Sequence, residues 1–141
     1  MIRLRRLEKA DIPVVVALGE QVDMGGIDEF SDVMVAVDDA DELVGFLRIC
    51  IVDDVAYVNP VVVAQEHRGE GIGRLLMREA SGRFPGLQLV ARGDLARGFY
   101  ATVGFWEVSW EDIADDIVDQ CRYCPNLEEC DPMPMRYLSE E

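Results

Sequence analysis

The sequence predicts an α/β fold, a three-layer sandwich followed by an acidic, cysteine-bearing tail. The 141 residues suit one ordinary domain, and half of them are apolar, which is enough to close a core without disulfides or metal ions. Strand-like and helix-like segments alternate along the chain, with no repeat and no change of composition before about residue 111. Such an alternation favours helices layered on a sheet.

The first predicted elements are a strand and a helix. Ile2 and Leu4 alternate imperfectly with arginines, which indicates a strand. Asp11 can cap a helix that has Pro13 in its first turn and runs to about residue 21. Residues 20–32 mix glycines with carboxylates and are interpreted as either a loop or a short helix.

A hairpin and a buried strand follow. Residues 33–37 and 43–52 are both β-rich and are separated by an acidic turn at residues 38–41, which is the pattern of a hairpin. After a second acidic turn, residues 55–63 end in three successive valines. A segment that is apolar on both faces predicts a strand at the centre of a sheet.

Two helices and two strands complete the regular pattern. Helices are predicted at residues 71–82 and 94–103, the second of them stopped by Gly104. Strands are predicted at residues 87–90 and 105–110.

The charge of the chain restricts its partners. Thirteen basic and twenty-eight acidic residues leave a formal charge of -15. This charge would repel nucleic acids and anionic membranes, so neither is expected as a partner, whereas cationic amines are favoured. The alternative is that the acidity serves only solubility.

The sequence also bears on location. The apolar run at residues 14–18 is far too short to span a membrane, and nothing resembles a signal peptide. We therefore expect a cytoplasmic protein, in which the four cysteines are thiols or metal ligands rather than disulfides.

The most informative segment is a glycine-rich turn, residues 65–76. Gly69, Gly71 and Gly73 stand at alternate positions, so no side chain there blocks the approach of an anion to the backbone amides. The next helix directs its positive N-terminal end at the turn, and Arg68 and Arg74 add charge on either side. The helix is expected to bury a face made of Ile72, Leu75, Leu76 and Ala80.

Two well-known phosphate-binding motifs match the turn less well. The nucleoside triphosphate loop requires Gly-Lys followed by Ser or Thr, but Lys9 is the only lysine. The dinucleotide pattern G-x-G-x-x-G fails because no third glycine stands in register. A plain helix cap remains the structural alternative, although it would need one glycine rather than three.

Two motifs resemble the GNAT acetyltransferase family. Arg68, Gly71 and Gly73 match its acyl-CoA signature, which is Arg or Gln, two residues, Gly, one residue, then Gly or Ala. Residues 99–105, which contain Tyr100 and end in Gly-Phe, resemble a later helix of the family. The resemblance covers residues 1–110 and extends to a last strand near residues 133–138.

The resemblance implies a fold and a cosubstrate. The fold would be a GNAT-like α/β/α sandwich with a mixed, mostly antiparallel sheet that splays open beside its central strand. Acetyl-CoA would lie with its pantetheine arm in that gap. The residues that the resemblance and the turn assign to it are Val61, Val63, Arg68, Gly69, Gly71, Ile72, Gly73 and Arg74.

The resemblance also implies a mechanism. An amine would attack the acyl group directly, and a backbone amide of the central strand would stabilise the oxyanion. Tyr100 would protonate the departing thiolate, because a phenol and a thiol have comparable ordinary pKa values. The alternative for Tyr100 is an amphipathic residue on a helix whose core face is Leu95, Phe99 and Val103.

Other site positions differ from the family pattern. Gly93 stands where many relatives have an asparagine, and Tyr57 stands where some have a glutamate base. No base is therefore assigned, and the candidates that remain are a water molecule held by the backbone and the side chains of Asn59, Asp53 and Asp54. His67 is interpreted as a solvent-facing residue of the phosphate turn.

The cysteines suggest a second site. Cys121, Cys124 and Cys130 have part of a zinc-site spacing, and Cys50 or His67 would have to supply a fourth ligand. An iron-sulfur site and reduced thiols are the alternatives. The chain is then one domain, residues 1–141, with a cysteine-bearing acidic insertion at about residues 111–132 before the last strand.

The sequence therefore predicts an N-acetyltransferase that acts on a small cationic amine or a peptide N-terminus. Two alternatives are a non-catalytic acyl-CoA sensor or partner-binding module, and a metal sensor built on the same fold. A homodimer is compatible with the sequence.

Overall fold

The computed structural model describes residues 1–21, 32–122 and 132–138. Most of the segment 20–32, predicted as a loop or a short helix, lies outside the described residues. The chain divides into two compact units, which are residues 1–50 with 58–80 and residues 51–57 with 81–141.

Strands and helices alternate through the described residues, and the α/β class is confirmed. The strands are β1 (Arg3–Arg6), β2 (Val33–Val37), β3 (Leu43–Val52), β4 (Val55–Val63), β5 (Gln88–Ala91), β6 (Phe105–Glu107) and β7 (Met133–Tyr137). The α-helices are α1 (Ile12–Gln21), α2 (Ile72–Arg83), α3 (Asp94–Thr102) and α4 (Asp115–Arg122). Short 3-10 helices cover Lys9–Asp11, Gln65–His67 and Trp110–Asp112.

The strands of the first unit follow the order β1, β2, β3, β4. Antiparallel pairing joins β1 to β2 and β2 to β3, with an irregularity between Ala36 and Val37. The predicted acidic turn connects β2 to β3, and Asp38 Oδ1 accepts hydrogen bonds of 2.9 Å from the amides of Ala40 and Glu42. The hairpin prediction is therefore confirmed.

A buried apolar cluster forms the core of this unit. Its members come from α1, the paired strands, the end of β4 and the residue that follows β4: Val15, Leu18, Val33, Val35, Val37, Phe46, Val62 and Ala64. Because Val62 is 4% exposed and its neighbours in β4 are half-buried, the strand has one face in this core at that point.

Gly45 of β3 lets the start of α2 approach the strands. A Cβ on Gly45 would lie 2.9 Å from the carbonyl oxygen of Val62 and 3.3 Å from Ile72 Cγ2. On α2 itself, Ile72, Leu76 and Ala80 are buried as predicted. Leu75 is 43% exposed, so its predicted place on the core face was wrong, and Met77 is buried instead.

An ion pair ties β1 to the chain before α1. The Arg5 guanidinium contacts both carboxylate oxygens of Asp11, at 2.7 and 3.1 Å. This hydrogen-bonded pair holds the pKa of Asp11 below its usual value.

The second unit contains strands in the order β4, β5, β7, β6. The first residues of β4 run parallel to β5, and their register consists of the single pair Tyr57 and Gln88. Antiparallel pairing joins β5 to β7 and β7 to β6, so pairing in both units is mostly antiparallel. The predicted last strand is confirmed as β7.

The core of the second unit surrounds Tyr57, which is 2% exposed and packs with Ile113 and Ile117. These two isoleucines come from the segment after residue 110, where the sequence predicted only a tail. The segment instead contains a 3-10 helix and α4. Within the described ranges, no helix has both the length and the apolar character needed to cross a membrane.

Candidate functional site

The predicted glycine turn connects the 3-10 helix Gln65–His67 to α2 in the first unit. Gly69 and Gly71 have φ angles of 86° and 83°, in the left-handed region where a side chain is strained. Gly73, by contrast, lies in the first turn of α2. Two of the three glycines are therefore required by the backbone conformation, while the third is the second residue of the helix.

The backbone amides of this turn are available to a ligand. The 3-10 helix ends with a hydrogen bond from Arg68 N to Gln65 O, and the next one runs from Leu75 N to Gly71 O. Within the described part of the chain, the amides of residues 69–73 donate to no backbone acceptor. Consecutive free amides at a helix N-terminus form an anion-binding arrangement.

The surroundings of the turn are open. A Cβ built on Gly69 or Gly71 would meet no atom within 4 Å. Arg68 and Arg74 are both exposed, on either side of the glycines. The turn can therefore receive an extended anion such as a diphosphate through its amides, and an exposed arginine flanks the glycines on each side in the sequence.

The acidic residue within the turn is held by a neighbour. Glu70 Oε2 lies 3.1 Å from Nδ1 of His67, whose side chain is 29% exposed. The interpretation of His67 as simply solvent-facing was therefore incomplete. Residue spacing in the sequence could not reveal that the histidine is half-buried and hydrogen-bonded to Glu70.

The valines before the turn alternate in burial. Val62 is buried in the first core, whereas Val61 and Val63 are half-buried and lie on the other face of β4. Pro60 has no amide hydrogen, so the strand offers one donor fewer immediately before these residues.

In the second unit, α3 carries Tyr100. The Tyr100 ring lies 5.3 Å from the ring of Phe99 and 6.0 Å from that of Phe105, measured between centroids. Burial raises the pKa of Tyr100 to about 12, against a smaller opposing effect of the positive charge of Arg92. The phenol is therefore neutral, and able to donate a proton, throughout the physiological range.

The rest of α3 differs from expectation. Leu95 is 94% exposed, so the predicted core face of Leu95, Phe99 and Val103 was wrong at its first member. Gly93 precedes the helix with a φ of 88°, and a Cβ there would meet nothing within 4 Å. With a ψ of 168°, this position lies in a backbone region that essentially only glycine adopts, so an asparagine would be strained here.

Tyr57, the position that the resemblance aligned with a glutamate base, makes structural contacts. Its hydroxyl accepts a 3.0 Å hydrogen bond from Ala114 N, and the ring is covered by Ile113 and Ile117. The neighbouring Gln88 donates from Nε2 to Asp112 O at 3.2 Å. These contacts attach the segment 112–117 to the strands, and the amphipathic spacing of Ile113 and Ile117 was the signal that could have identified it.

The other candidate bases are two exposed aspartates and one half-buried asparagine. Asp53 and Asp54 are exposed in the turn between β3 and β4, with φ angles of 51° and 64°. Asn59 is half-buried in the first unit, where its carbonyl oxygen accepts a 2.6 Å hydrogen bond from Arg48 Nε.

The predicted metal site cannot be compared with the structure. Cys124 and Cys130 lie outside the described residues, as does the side chain of Cys121. Cys50 is a half-buried free thiol. Among the described residues, no group of three or more His, Cys, Asp or Glu side chains could hold a metal ion.

Comparisons with known proteins agree with the pattern of the turn. Residues 29–107 match the model of the acetyltransferase (GNAT) domain. An uncharacterized N-acetyltransferase from Chlorobaculum tepidum is 31% identical over 83 residues, which are 57% of this chain and 54% of the relative. The chain thus spans about half the length of the curated relative that it matches.

Solved structures share the fold. The N-acetylglutamate synthase of Neisseria gonorrhoeae, complexed with coenzyme A and N-acetyl-glutamate, superposes with a TM-score of 0.74 at 16% identity, over 99% of this chain and 36% of that chain. A spermidine N-acetyltransferase chimera that includes the Vibrio cholerae sequence gives a TM-score of 0.71 at 20% identity, over 97% and 95% of the two chains.

Proposed function

The chain belongs to the GNAT acetyltransferase family, and from this premise we propose that it transfers an acetyl group from acetyl-CoA to a primary amine. The observation that carries the proposal is that the amides of residues 69–73 donate to no backbone acceptor among the described residues. This segment contains the two left-handed glycines and the start of α2. These residues fit the diphosphate of CoA, because main-chain donors, a helix N-terminus and two arginines converge there.

The chain's own residues have distinct roles in this proposal. The amides of Gly69, Gly71, Ile72 and Gly73 bind the diphosphate, and Arg68 and Arg74 neutralise its charge. The backbone of Val61 and Val63 pairs with the pantetheine arm, and an amide of β4 stabilises the oxyanion. Bound acetyl-CoA supplies an activated thioester to this site.

Tyr100 is the proposed general acid. As the amine attacks the thioester carbonyl, a C–N bond forms and the C–S bond breaks. The Tyr100 hydroxyl gives its proton to the departing thiolate, and the phenol carries that proton at neutral pH because its pKa lies well above this range. Since Tyr57 is buried and engaged with Ala114, we assign removal of the amine proton to a water molecule rather than to this side chain.

The acceptor is proposed from charge and from relatives. The spermidine N-acetyltransferase and the N-acetylglutamate synthase act, by their names, on amines. The formal charge of -15 favours a cationic amine or a peptide N-terminus over an anionic one. A cytoplasmic location and a homodimer remain part of the proposal.

Release of the CoA thiol from acetyl-CoA tests this function. Purified protein is mixed with spermidine, a lysine ester or an alanyl peptide, and thiol is followed with a chromogenic disulfide. We expect release above the enzyme-free rate with at least one amine. Binding of acetyl-CoA without release from any of them would contradict catalysis.

One observation favours a second candidate, a non-catalytic acyl-CoA sensor. The position of the family's glutamate is occupied by Tyr57, whose hydroxyl is engaged in anchoring the segment 112–117. A sensor would bind acetyl-CoA without turnover, and replacing Tyr100 by phenylalanine would leave its biological role unchanged. The metal-sensor alternative depends on Cys121, Cys124 and Cys130, and zinc analysis of protein purified without chelator tests it.

A further inference from the structure

We propose that His67 and Glu70 form a side-chain latch that positions the glycine turn for the diphosphate and thereby sets the affinity for acetyl-CoA. The inference rests on the proposed function, because it concerns the same turn. His67 Nδ1 and Glu70 Oε2 are 3.1 Å apart. An ionised carboxylate can only accept hydrogen bonds, so Nδ1 carries the hydrogen and donates it to Glu70.

The latch joins the 3-10 helix before the turn to the middle of the turn, where the amides donate to no backbone acceptor among the described residues. The amide of His67 donates to Ala64 O at 2.9 Å, so the histidine belongs to a hydrogen-bonded 3-10 helix. Glu70 lies between the two left-handed glycines, Gly69 and Gly71. Within residues 32–122, which the structure describes without a break, no other hydrogen bond connects residues 69–70 to the 3-10 helix.

Such a link has two physical consequences. Glycine has more backbone freedom than any other residue, so a turn with Gly on both sides of Glu70 loses much entropy when it is ordered. A side-chain bond that restricts the free turn lowers the ordering cost paid on binding, which is preorganisation. The same bond holds the Glu70 carboxylate toward His67, so that its negative charge does not compete with a diphosphate for the amides.

Four variants separate these roles. His67→Ala removes the donor, while His67→Asn retains an amide N–H close to the place of Nδ1. Glu70→Ala removes the acceptor, while Glu70→Gln retains an acceptor oxygen without the charge. The measurements are the Kd for acetyl-CoA by titration calorimetry, KM and kcat for the amine reaction, and the thermal unfolding midpoint as a control for folding.

We expect His67→Ala to raise the Kd and the KM for acetyl-CoA by about three- to fivefold, the range of a partly exposed charge-assisted pair, while kcat stays within about twofold. His67→Asn should restore the affinity to within about twofold of the wild type. In the Glu70→Ala background, His67→Ala should have no further effect, because the latch is already absent. Glu70→Gln should bind at least as tightly as the wild type, since it removes a negative charge beside the diphosphate.

The outcomes distinguish the latch from the function on which it rests. If wild-type protein binds acetyl-CoA and His67→Ala binds it equally well, the latch is wrong and the acetyltransferase proposal stands. Equal losses from His67→Ala in the two backgrounds would also overturn the latch, because the residues would then act independently. If the wild type fails to bind acetyl-CoA, both proposals fail.

Discussion

The glycine turn of the first unit and helix α3 of the second differ in where their chemistry resides. In the turn, the groups proposed to bind the ligand are main-chain amides, in a segment with the left-handed φ angles of Gly69 and Gly71. In α3, the proposed proton donor is one phenol, and burial raises its pKa. A backbone site is thus defined by conformation, whereas a side-chain site is defined by its environment.

This difference determines how each region should respond to mutation. Any residue that cannot adopt the left-handed conformation should damage the turn, whatever its polarity. In α3, replacing Tyr100 by phenylalanine, which retains the shape of the ring and removes one oxygen, should be sufficient to lower activity. The following predictions test that contrast, beginning with the largest expected effect.

Replacing Tyr100 by phenylalanine should lower kcat by about 10² to 10⁴-fold, the usual contribution of a general acid, with little change in the KM for acetyl-CoA. The ring contacts with Phe99 and Phe105 would remain. Steady-state kinetics with saturating amine measures the effect.

The matched control for this change is Tyr137→Phe. Tyr137 also contacts Phe105, with ring centroids 5.7 Å apart, but its hydroxyl makes no hydrogen bond to any residue that the structure describes. Tyr137→Phe should retain wild-type kcat. An equal loss in both variants would mean that aromatic packing, and not proton donation, explains the requirement for Tyr100.

Replacing Gly71 by valine should weaken acetyl-CoA binding by at least about thirtyfold. The left-handed conformation costs a residue with a Cβ about 1–2 kcal/mol, more when it is β-branched, and the new side chain would occupy the space open to the ligand. Calorimetric titration measures the loss. Gly82→Ala, in the helical part of α2 where a Cβ also meets nothing within 4 Å, should bind normally; weakened binding there would point to a general effect of glycine loss.

The sequence was most informative where the signal is local. Glycine spacing identified the turn, and valine patterns identified β2 and β4, because backbone conformation and burial of a strand leave short-range traces. The role of Tyr57 could not be predicted in this way. Its partner Ala114 lies 57 residues away, and only the folded chain brings that amide to the hydroxyl.

Helix faces were less well predicted than strands. The apolar spacing of Leu95, Phe99 and Val103 is helical, but Leu95 is 94% exposed. Helical spacing of apolar residues shows that one face of a helix is apolar, but it does not show whether another part of the protein covers that face. Three interpretations remain predictions: the assigned site residues, the single-domain organisation and the cysteine cluster. Each depends on a ligand or on contacts between residues distant in sequence.

Replacing Gly45 by alanine tests how far the glycine turn depends on the packing of the first unit. The new Cβ would lie 2.9 Å from the backbone oxygen of Val62 and 3.3 Å from Ile72, which begins α2. Since backbone cannot move cheaply, we expect a loss of about 1–3 kcal/mol in the free energy of unfolding, measured by urea titration. Acetyl-CoA affinity should fall only a few-fold, because the turn's own φ angles are unchanged; a loss as large as that of Gly71→Val would show that the turn depends chiefly on its support.

The smallest expected effect concerns pH and tests the environment of Tyr100 directly. Because the raised pKa of about 12 favours the neutral phenol, Tyr100 keeps its proton above the ordinary tyrosine value of about 10. With a peptide acceptor whose amine titrates near pH 8, kcat should stay level between about pH 9 and pH 10.5 after subtraction of uncatalysed hydrolysis. An unperturbed tyrosine would be only about one-quarter protonated at the upper limit, so kcat would fall about fourfold. If kcat falls in this way in the wild type but not in the residual activity of Tyr100→Phe, the phenol is more solvated than its packing against Phe99 and Phe105 implies. The contrast between a site defined by its environment and a site defined by backbone conformation would then lose its basis.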